Sequence, residues 1–251
     1  MGGEPQIIEA ARRDPQLVVL EGFHAVKHAL RFGAQVSGVF ADDPAAVAGL
    51  AADLAPDLVA DFAARTVPLS AAELGRVAPG VPTGVVGIAR RPRVDVEALL
   101  ARPAGTPVVL LEDPRNLGNI GAVIRVAAAA AAAGVVTTGR ADPWDSSALR
   151  GSAGLHFAIP VARIETLVSR RPLIGLDPDG DPLVPRALPG DAVLAFGSER
   201  TGLSRELLER CDARLALPMR AGVSSLNLAT AVAAVLFAWR LASGWSGAPA
   251  G

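Results

Sequence analysis

The chain has no tyrosine, one cysteine and three histidines among its 251 residues. A single thiol, Cys211, rules out an intramolecular disulfide and a cysteine zinc cluster, and it fits a reducing compartment. His24 and His28 stand four apart on a helical pattern, but HAVKH lacks the glutamate of HExxH and has no third ligand nearby. No metal site is expected. The net charge is only −1, so the chain has no global attraction for a polyanion. Any nucleic-acid contact has to come from local arginine clusters. The most apolar stretch, Val123–Thr138, is dominated by alanine and too short to span a bilayer. Glu4, Glu9, Arg12, Arg13 and Asp14 interrupt the first segment, so no leader is expected and the expected setting is the cytoplasm. Three nucleotide or hydrolase motifs are missing too: GxGxxG, GxxxxGK[ST] and GxSxG. Their absence counts against a standard NAD enzyme, a P-loop NTPase and an α/β-hydrolase.

What is present suits two α/β domains. Hydrophobic residues make up 51% of the chain, enough for two cores at this length. Residues 1–90 read as a small αβ unit, with strands at Leu17–Leu20, Val36–Phe40, Thr66–Leu69 and Val85–Ala89. The helical stretch EGFHAVKHAL lies between the first two, with His24, Lys27, His28 and Arg31 on a solvated or RNA-facing side. Prolines and arginines alternate through 91–106, which reads as a linker; Arg90, Arg91 and Arg93 are candidate phosphate contacts. Residues 107–251 alternate strands with helices, the pattern of an α/β domain with a mostly parallel sheet. The alanine run predicts a helix over Ala122–Ala133. The end of the chain reads as strand, loop and helix. In that helix Leu226, Thr230, Ala233, Phe237 and Leu241 share one face, and Ser224 or Ser225 is the expected N-cap.

Three loops follow predicted strands and are dense in glycine, asparagine, serine and charge: Asp113–Arg125, Phe196–Ser204 and Leu217–Asn227. Ligands of open α/β sheets bind outside the carboxyl ends of the strands, so the three loops point to one site. Taken together they resemble the signature motifs of the SpoU/TrmH branch of the SPOUT RNA methyltransferases. The first motif, Asn-x-x-Gly-Asn-x-Gly-x-x-x-Arg, is carried by Asn116, Gly118, Asn119, Gly121 and Arg125. The second, Gly-x-Glu-x-x-Gly, is carried by Gly197, Glu199 and Gly202. The third is carried by Pro218 and Met219, then Ser225, Leu226 and Asn227. The resemblance covers roughly 107–241, and residues 1–90 resemble the L30e-like RNA-binding domain of several members.

The resemblance implies a catalytic domain with a deep trefoil knot, a homodimer, and methyl transfer from S-adenosylmethionine to a ribose 2′-hydroxyl of RNA. It places Arg125, Asn116, Ser225, Asn227 and Glu199 in the catalytic centre. Gly197, Leu217, Met219 and Leu226 then hold the cofactor. A ribose hydroxyl is a poor nucleophile, so the protein must align it and favour the alkoxide as it forms. Arginine stays protonated, so the role expected for Arg125 is to grip a phosphate and stabilise negative charge rather than to act as a base. The L30e-like domain puts an rRNA target ahead of a tRNA target. The competing readings are a non-catalytic RNA-binding or ribosome-assembly protein of the same fold, and a nucleotide-binding enzyme of Rossmann type. Ordinary roles compete at each residue as well: Asn116, Ser225 and Asn227 as caps, Arg125 and Glu199 as solvated helix charges, Leu217 and Leu226 as core.

Overall fold

The computed structural model describes residues 3–101 and 105–244. The chain forms two compact units: Met1–Arg93 with Trp144–Ala158, and Val94–Pro143 with Ile159–Gly251. In chain order the first stretch holds α1 (Glu4–Arg13), β1 (Leu17–Glu21), α2 (Phe23–Arg31), β2 (Val36–Ala41), α3 (Pro44–Leu54), α4 (Val59–Arg65), β3 (Thr66–Pro68), α5 (Ala71–Val77) and β4 (Val85–Arg90). Then come α6 (Val96–Ala101), β5 (Val108–Leu111), α7 (Leu117–Ala129), β6 (Gly134–Thr137) and α8 (Ser146–Ser152). The chain continues through β7 (Val161–Arg163), β8 (Leu173–Pro182), β9 (Val193–Phe196), α9 (Arg205–Arg210), β10 (Ala213–Ala216) and α10 (Leu228–Ala242).

The sheet of the first unit runs β1-β4-β2-β3. Strand β4 is antiparallel to both its neighbours, and β3 is parallel to β2. An inner strand covered on both faces reads as a continuous apolar run; accordingly Val85–Ala89 are all buried. On one face Ile8, Val19, Phe40, Leu74 and Ile88 form a core cluster. On the other, Gly87 admits Val26 of α2, because a Cβ there would press on the valine methyl. Two of the helices start on side-chain caps that the sequence supplies. Asp43 accepts from Ala45 and Ala46 N–H for α3, and Ser70 with Glu73 makes a capping box for α5.

Segment Trp144–Ala158 groups with the first unit, although its position in the chain reads as part of the C-terminal domain. Gly154 makes this packing possible, since a Cβ there would overlap the backbone of Ala25. The Ala153 carbonyl lies 2.7 Å from His28 Nδ1, so the half-buried His28 meets this segment.

Glu21 lies between two guanidiniums, 2.7 Å from Arg12 and 2.6 Å from Arg150, with its side chain 12% exposed. Burial alone would raise its pKa, but hydrogen bonds from both arginines outweigh this and hold the carboxyl below its ordinary value. A group depressed in the folded state gives stability that is complete above its unfolded pKa and is lost as pH falls through the folded value. Glu21→Gln should therefore destabilise the protein by about 2 kcal/mol at neutral pH. In denaturant titrations the gap to the parent should close below about pH 4. A constant gap down to pH 3 would contradict this assignment.

In the second unit all six strands are parallel, in the order β10-β8-β9-β5-β6-β7. Strands β5, β6 and β9 are buried at every position. Within the stretch read as a linker, residues 96–101 form α6, with Asp95 Oδ1 accepting from Ala98 N–H and Leu100 buried. Helix α7 spans Leu117–Ala129 and begins five residues before the expected start at Ala122, because Asn116 caps it.

Helix α10 departs from expectation in two ways. Its cap is Asn227, whose Oδ1 accepts from Ala229 N–H (2.9 Å) and Thr230 N–H (3.4 Å), and not a serine. Its inward face carries Val232, Val235, Leu236 and Trp239, while Phe237 is 41% and Leu241 82% exposed. Apolar residues occupy both sides of this helix, so periodicity alone cannot choose between them. No helix of the described residues is long and apolar enough to cross a membrane.

Candidate active site

Parallel register brings Leu111, Phe196 and Leu176 to one level of the second sheet. The loops that follow β5 and β9 therefore leave from the same edge, where the crevice of an open α/β sheet forms. The loop after β10 reaches the same place and runs into α10. A cavity of about 770 Å³ lies there, within the size range of small-molecule sites.

Gly197 opens the second loop. Ser198 and Gly202 exchange backbone hydrogen bonds of 3.1 and 3.0 Å, folding the loop back on itself. A Cβ at Gly197 would overlap the backbone of Gly202 and Leu203, so only glycine fits this close approach. Leu217, Met219 and Leu226 give the cavity apolar surface; Glu199, Ser225 and Asn227 give it polar groups. Leu226 is 43% exposed, so it is not the core residue its composition suggests.

A chain of side-chain hydrogen bonds joins the three loops. Asn119 Nδ2 donates to Glu199 Oε1 (2.8 Å), and Asn227 Nδ2 donates to Asn119 Oδ1 (3.1 Å). Asn119 thus bridges the second and third loops from the first turn of α7. Burial opposes ionisation of Glu199, but the Asn119 amide and backbone N–H groups, Arg115 and Asn116 among them, hold its pKa below the ordinary value. Glu112 fastens the far end of the second loop. Its carboxylate accepts from Ser204 N–H and Oγ–H, both at 2.6 Å. Ser204 in turn caps α9.

Of the residues picked out from the sequence, seven line this cavity: Gly197, Glu199, Leu217, Met219, Ser225, Leu226 and Asn227. Asn116 does not. Its Oδ1 accepts from Asn119 N–H (3.0 Å) as the N-cap of α7. Arg125 does not line it either. It is exposed on the same helix, about 9 Å further along the axis than Asn119. Among the described residues its guanidinium has no ion-pair or hydrogen-bond partner.

Two structurally central residues, Asn119 and Glu112, were given no role from the sequence. Asn119 stands in the quoted motif, and its spacing from Asn116 puts both on one helix face. Glu112 had no signal beyond its place at a strand end. Cys211 is a packed thiol: burial pushes its pKa up, and its Sγ–H donates to the Leu207 carbonyl. Among the described residues no group of histidine, cysteine or carboxylate side chains could hold a metal.

Known proteins resemble this chain in sequence and in fold. A 23S rRNA (uridine(2479)-2'-O)-methyltransferase from Streptomyces viridochromogenes is 32% identical over 171 residues, covering 62% of this chain and 59% of that protein. The chain spans about half to three fifths of the length of the curated relatives it matches. The crystal structure of the SpoU methyltransferase AviRb from S. viridochromogenes, in complex with AdoMet, superposes with a TM-score of 0.77 at 23% identity. The match covers 99% of this chain and all of that one. An AdoMet-bound rRNA methyltransferase from Sinorhizobium meliloti gives 0.76 at 25% identity, over 94% of each chain. The family model for the SpoU rRNA methylases matches residues 106–237, more than half of the chain and all three of these loops. This chain belongs to the SpoU rRNA methylase family.

Proposed function

We propose that this protein is an S-adenosylmethionine-dependent methyltransferase acting on a ribose 2′-hydroxyl of RNA, with rRNA as its substrate. The observation that carries the reading is the Glu199–Asn119–Asn227 chain of hydrogen bonds, which ties the second and third loops, both lining a cavity of cofactor size, to the start of α7. The 23S rRNA ribose methylase among the relatives and the AdoMet held by two structural neighbours support it.

The cavity suits the cofactor. Leu217, Met219 and Leu226 offer apolar surface to an adenine ring and a methionine chain, and backbone groups of the loops can read the adenine edge. When bound, S-adenosylmethionine supplies an electrophilic methyl group on a sulfonium. Asn227 and Asn116 set the ends of the two helices that frame the site, and Glu199 fixes the second loop against α7. With the capping of α10 done by Asn227, the Ser225 hydroxyl is left to orient the ribose. Arg125 binds the adjacent RNA phosphate and stabilises negative charge on the 2′-oxygen. A permanently protonated guanidinium does this without serving as a base.

Asn119→Ala should lower kcat/KM for methyl transfer by about 10- to 100-fold, as expected when a positioning contact is lost. Asn119→Asp, which sets a second carboxylate beside Glu199, should do worse. Parent-like initial rates in both variants would remove Asn119 from the site.

The first unit serves as an L30e-like RNA-binding domain, and the long loop between β10 and α10 belongs to a trefoil knot. A second copy of the chain covers the exposed Phe237 and Leu241 of α10. Light scattering should give twice the monomer mass, and Leu241→Glu should halve it; a monomeric parent would refute the dimer. Substrate choice is tested by incubating the protein with labelled S-adenosylmethionine and separate rRNA and tRNA pools. Label in the rRNA pool is expected. Label in tRNA alone would overturn the choice of substrate.

A further inference from the structure

Strand β4 ends between the beginnings of its two antiparallel neighbours. Arg90 N–H donates to the Gln35 carbonyl (2.9 Å) and Arg91 N–H to the Gln16 carbonyl (2.8 Å). Gln16 and Gln35 directly precede β1 and β2, so this register gathers two amides and two guanidiniums on one edge of the first sheet. Arg93 follows two residues later. These groups rim an open cleft of about 850 Å³ that also takes in Phe32 and Phe157, and no carboxylate lines it among the described residues. In a chain of net charge −1, Arg90, Arg91 and Arg93 are a local concentration of positive charge.

The aromatic members are placed for contact. Phe32 is 45% exposed at the end of α2, where Gly33 turns the chain at φ +72°. A ring left in solvent there contributes little to the core. Phe157 packs edge-on to Trp144 (5.3 Å), and the Arg91 guanidinium lies 5.6 Å from the Trp144 ring. This cation–π contact holds one wall. Arg90 Nη2 reaches Gln16 Oε1 at 3.2 Å, across the floor. Two of the four groups on the face of α2 that patterning pointed to are committed elsewhere. Arg31 grips Asp57 through two bonds of 3.1 and 2.5 Å, and His28 meets the Ala153 carbonyl.

We propose that this cleft binds unpaired RNA nucleotides. Phe32 and Phe157 stack on bases, Arg90 and Arg93 hold flanking phosphates, and Gln16 and Gln35 bond to base edges. Single-stranded RNA is recognised by this combination of aromatic faces, cations and amides. An acidic peptide would answer the arginines but leave the exposed ring and both amides without a role. The inference rests on the RNA methyltransferase reading and adds where the substrate is gripped.

The test uses the full chain and fluorescein-labelled octauridylate at low salt, followed by anisotropy. Phe32→Leu, which keeps apolar bulk and removes the stacking face, should weaken binding about tenfold, and Phe32→Trp should restore it. Arg93→Gln should weaken binding and lower the slope of log affinity against log salt by about 0.7. Both weakened variants should raise KM for rRNA with kcat held. Parent-like affinity in Phe32→Leu and Arg93→Gln overturns the proposal, as does tighter capture of labelled octaglutamate than of octauridylate. The two readings fail separately. Octauridylate binding that depends on Phe32 and Arg93, without methyl transfer to any RNA, sinks the catalytic reading and leaves the cleft. Methyl transfer with unchanged KM in both variants sinks the cleft alone.

Discussion

Arg125→Ala is expected to lower methyl transfer by about 10³-fold while S-adenosylmethionine affinity stays within about twofold. The split follows from position. Arg125 is exposed on α7, lies outside the cavity lining, and has no ion-pair partner among the described residues. Its removal therefore leaves the cavity surface of Leu217, Met219 and Leu226, proposed to hold the cofactor, intact. On the proposed function, what it removes is a fixed positive charge beside the RNA, an interaction that would strengthen as the 2′-oxygen becomes anionic. A thousandfold loss corresponds to about 4 kcal/mol of transition-state stabilisation, the scale of one preorganised charge in a partly dry site. Arg125→Lys keeps the charge and loses the planar fork, so it should recover only part of the rate. Initial rates with calorimetric cofactor binding decide the matter. Loss of cofactor binding in Arg125→Ala would place the residue in the cavity instead.

Gly197→Ala should do the reverse, weakening cofactor binding by more than about 100-fold, with methyl transfer falling in step. The smallest possible side chain already overlaps the backbone of Gly202 and Leu203. The loop cannot keep both its Ser198–Gly202 bonds and the extra methyl. Relaxation moves Glu199, and with it the Asn119 bridge, or pushes the loop into the cavity. Either path spoils the pocket that Gly197 helps to line. Refolding is checked by thermal melting, since β9 and its buried neighbours are untouched. A folded Gly197→Ala protein with parent-like calorimetric affinity would put the cofactor elsewhere.

The sheet edge that forms the site could be read from the sequence, because apolar strands ending in Gly, Asn and Ser mark a crevice on chemical grounds. The three loops converge as that reading requires. The rest depended on facts that local pattern does not hold. Phe237 and Leu241 looked inward because α10 is apolar on both sides, and only tertiary packing shows that Val235 and Trp239 are buried. Asn227 outcompeted Ser224 and Ser225 as cap, a choice among three good capping residues that composition leaves open. Trp144–Ala158 joined the first unit through a contact between Gly154 and Ala25, far apart in sequence. Asn116 and Arg125 share a motif in the sequence. In the folded chain one is a helix cap and the other an exposed cation, so a shared motif does not place residues at one point.

The most direct test of the central claim is where the transferred methyl resides. RNA labelled by the protein from S-adenosylmethionine is digested in alkali, which cleaves only next to a free 2′-hydroxyl. The account predicts that the label survives in dinucleotides, each with a methylated ribose. Label released in mononucleotides would mean methylation of a base, and would contradict it.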